Sequence, residues 1–220
     1  MIRIAIDGPS GSGKSTLAKA VARELGIIYV DTGALYRTVG YYVYSNGIDP
    51  QCEAAIAKVL PEINIELKYE GETQRVILNG EDLGDKIRMP EMSMYASAVS
   101  SKPAVRAFLL EMQKSLARTH SVVMDGRDIG TVIIPDADLK IFLTASNETR
   151  AKRRTLELAE KGVDAKYEDV LADMIERDKN DKNRDIAPAV PADDAIIFDN
   201  SVMTVEESVK EIVRLLNERK

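Results

Sequence analysis

The chain has 220 residues, 45% of them hydrophobic, and a formal net charge of −6. That is enough apolar material for one substantial core with small excursions, while the acidic balance argues against nonspecific attraction to nucleic acid or anionic membrane. The single cysteine, Cys52, excludes an internal disulfide, and the only histidine, His120, is too distant in sequence to share a zinc-ligand spacing with it. The first strand begins without the basic and apolar regions of a leader, and no apolar run approaches the ~18 residues of a membrane span; the expected compartment is the cytoplasm.

Ile2, Ile4, Ala5 and Ile6 form a run apolar on both faces, as expected of a buried parallel strand. Gly8-Pro9-Ser10-Gly11-Ser12-Gly13-Lys14-Ser15 follows and reads as a phosphate-binding P-loop. Its glycines let backbone N–H groups turn inward around a polyphosphate, Lys14 supplies a mobile positive charge, and the Ser15 hydroxyl suits Mg²⁺. Leu17, Val21 and Leu25 then recur at helical spacing beside Ala18 and Ala22, with Gly26 at the stop position. Strand, loop and helix in that order set the phosphate reading above the alternative of a plain glycine-rich turn.

Four further apolar runs, Ile27 to Val30, Ser121 to Met124, Leu139 to Leu143 and Ala195 to Phe198, complete an expected five-stranded parallel sheet flanked by helices. Asp7, Asp31, Asp125 and Asp199 fall at or just beyond the carboxyl ends of these runs, the edge where α/β sheets bind ligands. Residues 63–83 break the pattern. Asn64 to Tyr69 alternates, Glu70-Gly71-Glu72 turns, Arg75 to Leu78 follows and Asn79-Gly80 turns again, predicting a small antiparallel β insertion between the second and third sheet strands. The terminal segment from Val205 to Glu218 is an amphipathic helix.

Asp31-Thr32-Gly33-Ala34-Leu35-Tyr36-Arg37 places Asp31 or Thr32 as an N-cap and Arg37 in the second turn, a combination that favours an anion but equally fits ordinary capping with a solvated arginine. Asp125-Gly126-Arg127-Asp128-Ile129-Gly130-Thr131 puts two carboxylates and a guanidinium at the sheet edge, either for a ligand or as a turn braced by an Arg–Asp pair. Arg150, Arg153 and Arg154 share one helical face, as do Arg177, Asp181 and Arg184. Solvated faces are the alternative, but two such helices in succession predict a lid whose arginines close on a phosphoryl group.

These segments together resemble the bacterial cytidylate kinases, nucleoside monophosphate kinases that move the γ-phosphoryl of ATP to CMP or dCMP. The resemblance runs end to end, through the P-loop at 8 to 16, the segments 31 to 37 and 125 to 131, and the Arg177/Asp181/Arg184 stripe. It implies one P-loop kinase domain over 1–220, with a monophosphate-binding region at about 32–118 and a lid at about 148–185. It further implies that Thr32, Arg37 and Arg127 hold the CMP phosphate and that Ser97, Arg106 and Asp128 read cytosine. Arg177 and Asp181 would face the ribose and Arg184 would reach phosphate. Gly8, Pro9, Ser10, Gly11, Ser12, Gly13, Lys14, Ser15, Thr16 and Arg153 would serve ATP, with Ser15 on Mg²⁺. Lys14, Arg127, Arg177 and Arg184 are the implied catalytic set, in a cytoplasmic monomer that binds no nucleic acid or membrane. Many relatives have Ser where this chain has Thr32, a change that keeps the hydroxyl.

The acceptor is already a phosphate dianion, so positioning and charge neutralisation must dominate over general-base catalysis. Asp125 is placed to orient Mg²⁺ water, with Asp7 as a rival, and either could instead satisfy P-loop amides. A kinase for UMP or AMP is the nearest competing reading. Against it, an adenylate-type enzyme would carry Asp-Gly-Phe-Pro-Arg where this chain has Asp-Gly-Arg-Asp-Ile-Gly. A P-loop GTPase or ATPase switch is more distant, since no Asn-Lys-x-Asp motif is present.

Overall fold

The computed structural model describes residues 1–71, 73–160 and 162–219, with Thr73 and Pro90 described by backbone alone. In chain order its main elements are β1 (Arg3–Asp7), α1 (Lys14–Leu25), β2 (Ile28–Asp31), α2 (Thr32–Ser45), α3 (Glu53–Val59), β3 (Ile65–Glu70), β4 (Thr73–Leu78) and β5 (Glu81–Asp82). There follow α4 (Pro90–Ser100), α5 (Pro103–Thr119), β6 (Val122–Gly126), β7 (Leu139–Thr144), α6 (Asn147–Glu160), α7 (Tyr167–Asn183), β8 (Ile196–Asp199) and α8 (Val205–Glu218). The expected five-stranded parallel sheet is present in the order β2-β6-β1-β7-β8. Each strand lies within two residues of its predicted bounds, because runs apolar on both faces can be buried only inside such a sheet. The chain leaves central β1 first towards β2 and later crosses to β7, which opens a crevice at the carboxyl ends of the strands.

One face of the sheet packs on α1 and α8 through Ile4, Ile6, Leu17, Val21, Leu139, Ile141 and Ile212. Ala5, Val30, Val122 and Met124 meet Ala117 and Ile129 on the other. The insertion is a three-stranded antiparallel sheet, β3-β4-β5. Asn79 and Gly80 both take positive φ, 49° and 86°, in the two-residue turn from β4 to β5, as the sequence expects of Asn-Gly. Of the expected turn Glu70-Gly71-Glu72, Glu72 lies outside the described residues. Ile65, Val76, Leu78 and Leu83 of this insertion share a second core with Leu35, Val39 and Val43 of α2 and with Val105 and Leu109 of α5. The lid pair α6 and α7 has the smallest core, Ala151, Val170 and Met174, so it belongs to the weakly held end of the molecule.

Candidate active site

The P-loop owes its shape to local conformation. Gly8, Gly11 and Gly13 take φ of 148°, 69° and 91°, values that side chains with a Cβ rarely adopt. A Cβ at Gly8 would stand 2.1 Å from the Leu143 carbonyl oxygen. No side chain caps α1 at its N-terminus, so its first amides keep the unsatisfied donors that bind anions. Lys14 is buried and its Nζ lies 2.8 Å from the Pro9 carbonyl. Burial first, then the neighbouring charges of Arg127 and Arg177, push the Lys14 ammonium down to about 7.

The two rival acids have separate tasks. Asp7 accepts from the backbone N–H groups of Ile129 and Gly130, both at 2.8 Å, so it braces the π-helical turn Ile129–Ile133 rather than the P-loop. Burial raises its carboxyl to about 6. Asp125 accepts from Ser15 Oγ at 2.8 Å and from the Tyr29 hydroxyl at 2.9 Å. Burial, then repulsion from Asp31, raises its pKa as well, with Lys14 pulling it back. The Ser15–Asp125 pair offers two hard oxygens at the mouth of the P-loop. The described residues contain no cluster of three His, Cys, Asp or Glu side chains able to hold a metal; Mg²⁺ ordinarily binds through one or two protein oxygens, substrate phosphates and water.

Across the crevice, Asp31 is the N-cap of α2, accepting from Ala34 N at 2.9 Å, and it holds Arg37 at 2.7 Å. Thr32 is buried and its hydroxyl donates to the Asp125 carbonyl at 2.7 Å, a bond that ties α2 to β6 and commits the proton the sequence assigns to phosphate. Arg127 turns its Nε to Asp181 at 3.0 Å. Asp128 therefore does not brace Arg127: it forms a buried ion pair with Arg106 of α5 and lies 3.9 Å from Arg184. Arg106 also stacks over the Tyr36 ring, 5.6 Å from its centroid, and reaches the Ser100 carbonyl at 3.3 Å. Ser97, half-buried on α4, stands one turn before Ser100. Burial raises the Asp128 pKa despite Arg106, Arg184 and Arg127 nearby. Desolvation also raises that of Asp181, but there Arg127 and Arg177 prevail and hold it below the usual carboxylate range.

The lid arginines divide differently from expectation. Arg150 is a buried strut, bonded to the Ser10 and Ala145 carbonyls at 2.8 and 3.1 Å and paired with Asp178 at 2.6 Å. Arg154 pairs with Glu157, whereas Arg153, like Arg150, reaches a P-loop carbonyl, that of Ser12 at 3.3 Å. The three do not act as one cluster, because their side chains point to different partners although their Cα atoms share a face. Arg184 follows the end of α7 in extended conformation, which brings it 3.9 Å from both Asp181 and Asp128.

Arg37 Nε, Arg177 Nε and Arg184 Nη2 are buried without a hydrogen-bond partner, an arrangement proteins seldom leave uncompensated. Burial, then Arg127, pushes the Arg177 guanidinium down to about 10. Cations that repel one another and keep unused N–H groups suit an anionic ligand. Sequence reasoning missed Tyr29, Asn200 and Met203. Asn200 and Met203 follow β8 and line a pocket of about 210 Å³ with Gly13, Thr16, Leu17 and Arg153, and their only signal was position after a strand end.

The family model for cytidylate kinase matches residues 4–218. The chain belongs to the cytidylate kinase family. It is 50% identical over 217 residues to the cytidylate kinase of Fervidobacterium nodosum, covering 99% of this chain and 97% of that protein. With the cytidylate kinase of Caldicellulosiruptor bescii it shares 49% over 214 residues, 97% of this chain and 95% of that one. Among solved structures, the shikimate kinase of Bacteroides thetaiotaomicron superposes with a TM-score of 0.50 at 15% identity, covering 98% of each chain. That likeness extends to the fold alone, whereas the cytidylate kinase matches span the P-loop, the insertion and the lid together.

Proposed function

We propose that the crevice takes CMP or dCMP as acceptor and ATP as donor, and that the enzyme moves the γ-phosphoryl group between them. The observation that carries the reading is the set of buried arginine N–H groups without partners on Arg37, Arg177 and Arg184, together with a buried lysine, Lys14, whose charge is suppressed by burial and by Arg127 and Arg177. A polyphosphate relieves both conditions, since it accepts the hydrogen bonds and neutralises the repulsion.

In this reading the P-loop amides and Lys14 hold the ATP phosphates, with Arg153 above them and the base in the pocket lined by Asn200 and Met203. Ser15 and Asp125 hold Mg²⁺, which when bound neutralises charge on the phosphate oxygens. Arg37 and Arg127 orient the CMP phosphate, with Thr32 supporting the helix N-terminus beside them. A CMP oxygen bonds to the γ-phosphorus as the bond to the β–γ bridging oxygen breaks, and Arg177 and Arg184 stabilise the equatorial oxygens while excluding water. Asp128 and Arg106, oriented by each other and by Tyr36, face the cytosine edge with Ser97, and Asp181 faces the ribose. The same reading takes about 32–118 as the monophosphate region and about 148–185 as the lid of one kinase domain, and takes the enzyme to be a cytoplasmic monomer that binds no nucleic acid. Among the described residues, no helix is long and apolar enough to cross a membrane.

A panel of CMP, dCMP, UMP and AMP with ATP and Mg²⁺, followed by ADP release, tests the assignment. The expected order is CMP and dCMP well above UMP, with AMP inert. Equal rates with UMP or AMP would overturn the base assignment while leaving the phosphate site standing.

A further inference from the structure

The carboxyl end of β2 is gripped from outside the parallel sheet by one side chain. β2 is an edge strand, so the outward backbone groups at its end have no neighbouring strand of that sheet to pair with. Gln74, on β4 of the insertion opposite Tyr69, supplies both partners at Asp31: its Oε1 accepts from the Asp31 N–H at 2.9 Å, and its Nε2 donates to the Asp31 carbonyl at 3.3 Å. The carboxamide thus stands in for one residue of a paired strand.

Asp31 is also the residue whose carboxylate caps α2 through Ala34 and holds Arg37 at 2.7 Å. A continuous chain of bonds therefore runs from the insertion through Gln74 and Asp31 to the Arg37 guanidinium. Behind it lies a groove of about 680 Å³ between α1 and the insertion, lined by Lys19, Tyr29, Tyr69, Gln74 and Ile87 among others. Gln74 and Asp31 both line this groove, and the Gln74 bonds join the insertion to the end of β2 at its wall.

We infer that Gln74 is a positioning residue for the acceptor: by fixing the backbone of Asp31 it directs Arg37 at the CMP phosphate and couples the seating of the insertion to phosphate capture. The inference rests on the reading of Arg37 as a phosphate ligand. Misdirecting a charged clamp costs affinity for the group it clamps and leaves contacts to the rest of the ligand intact.

The test compares CMP with cytidine, which lacks the phosphate, by titration calorimetry on the full chain. Gln74→Met keeps the length of the side chain and removes both bonds. It should weaken CMP about tenfold, the size of one or two net hydrogen bonds, and leave cytidine affinity and the KM for ATP within about twofold. Gln74→Glu keeps the acceptor but sets a carboxylate against the Asp31 carbonyl, and should weaken CMP at least as much. In an Arg37→Ala background Gln74→Met should add nothing further, because the route to phosphate is already gone. Unchanged CMP affinity in both Gln74 variants, equal losses for CMP and cytidine, or fully additive losses with Arg37→Ala would each overturn the inference. Wild-type CMP binding by Arg37→Ala would instead overturn the phosphate site and this inference with it, so the two failures are distinguishable.

Discussion

In the proposed reading, the donor and acceptor halves of the crevice are built in opposite ways. On the donor side one continuous stretch, Gly8 to Thr16, supplies the loop, its positive-φ glycines, the lysine and the helix N-terminus, and the tertiary structure adds Asp125, Arg150 and Arg153 around it. On the acceptor side no stretch suffices. Arg37, Arg106, Asp128, Asp181 and Arg184 come from α2, α5, the end of β6 and the end of the lid. A phosphate can be held by backbone geometry that neighbouring residues encode, whereas a base edge needs side chains converging from several directions, which only packing supplies.

That contrast can be broken first at Gly8. Gly8→Ala forces a Cβ towards the Leu143 carbonyl at a φ of 148°, with backbone strain of ~1–3 kcal/mol and overpacking of a similar ~1–3 kcal/mol. Thermal unfolding should show a large loss of stability. A wild-type Tm would mean that the loop is not held as tightly as its geometry indicates. Next in size, Lys14→Ala removes a phosphate clamp and should lower kcat by ~10² or more, with little change in unfolding. Retention of more than a tenth of the turnover would move the chemistry away from the P-loop.

The acceptor side is probed by Asp128→Asn. The amide can turn a donor towards the carbonyl that uracil presents where cytosine has an amino group, so kcat/KM for CMP should fall and the CMP/UMP ratio should shrink by ~10-fold or more, since sites built on a buried hydrogen bond discriminate steeply. The same change weakens the pair with Arg106. If only that pair mattered, both acceptors would lose equally, so an unchanged ratio would remove Asp128 as a base reader.

The smallest effect is a proton. Lys14 has its charge suppressed to about 7 from an ordinary 10.5, so at pH 8 the free enzyme holds it mostly neutral. A bound triphosphate favours the ammonium, and nucleotide binding should therefore take up a proton at pH 8 and none well below pH 7, with affinity falling as pH rises above about 7. Calorimetry in buffers of different ionisation enthalpy measures the uptake. No proton uptake at pH 8 would place Lys14 in a solvated, ordinarily charged state.

Tyr29 and Gln74 show how far the sequence reaches on either side. Both bond to strand-end aspartates, Tyr29 to Asp125 and Gln74 to Asp31, yet Tyr29 reads as an ordinary strand residue and Gln74 falls unassigned between a predicted turn and the run from Arg75, and neither has a neighbour in sequence that marks it. The arginines of α6 mislead in the other direction: spacing puts three on one face, but burial spends Arg150 on the Ser10 and Ala145 carbonyls and Asp178.

By itself the sequence determined what depends on near neighbours along the chain. Apolar runs bounded the five strands, glycines that tolerate positive φ bent the P-loop and the Asn79-Gly80 turn, and the Asp31-Thr32 pair marked the start of the helix that carries Arg37. Tertiary structure alone decided which charges meet. Whether Asp128 faces Arg127 or Arg106, whether Asp7 or Asp125 reaches Ser15, and whether Thr32 keeps its proton for a ligand depend on contacts between residues that local spacing does not relate. In a buried site each charge or hydroxyl takes the partner that best offsets its desolvation, and that partner is set by how the helices and strands pack.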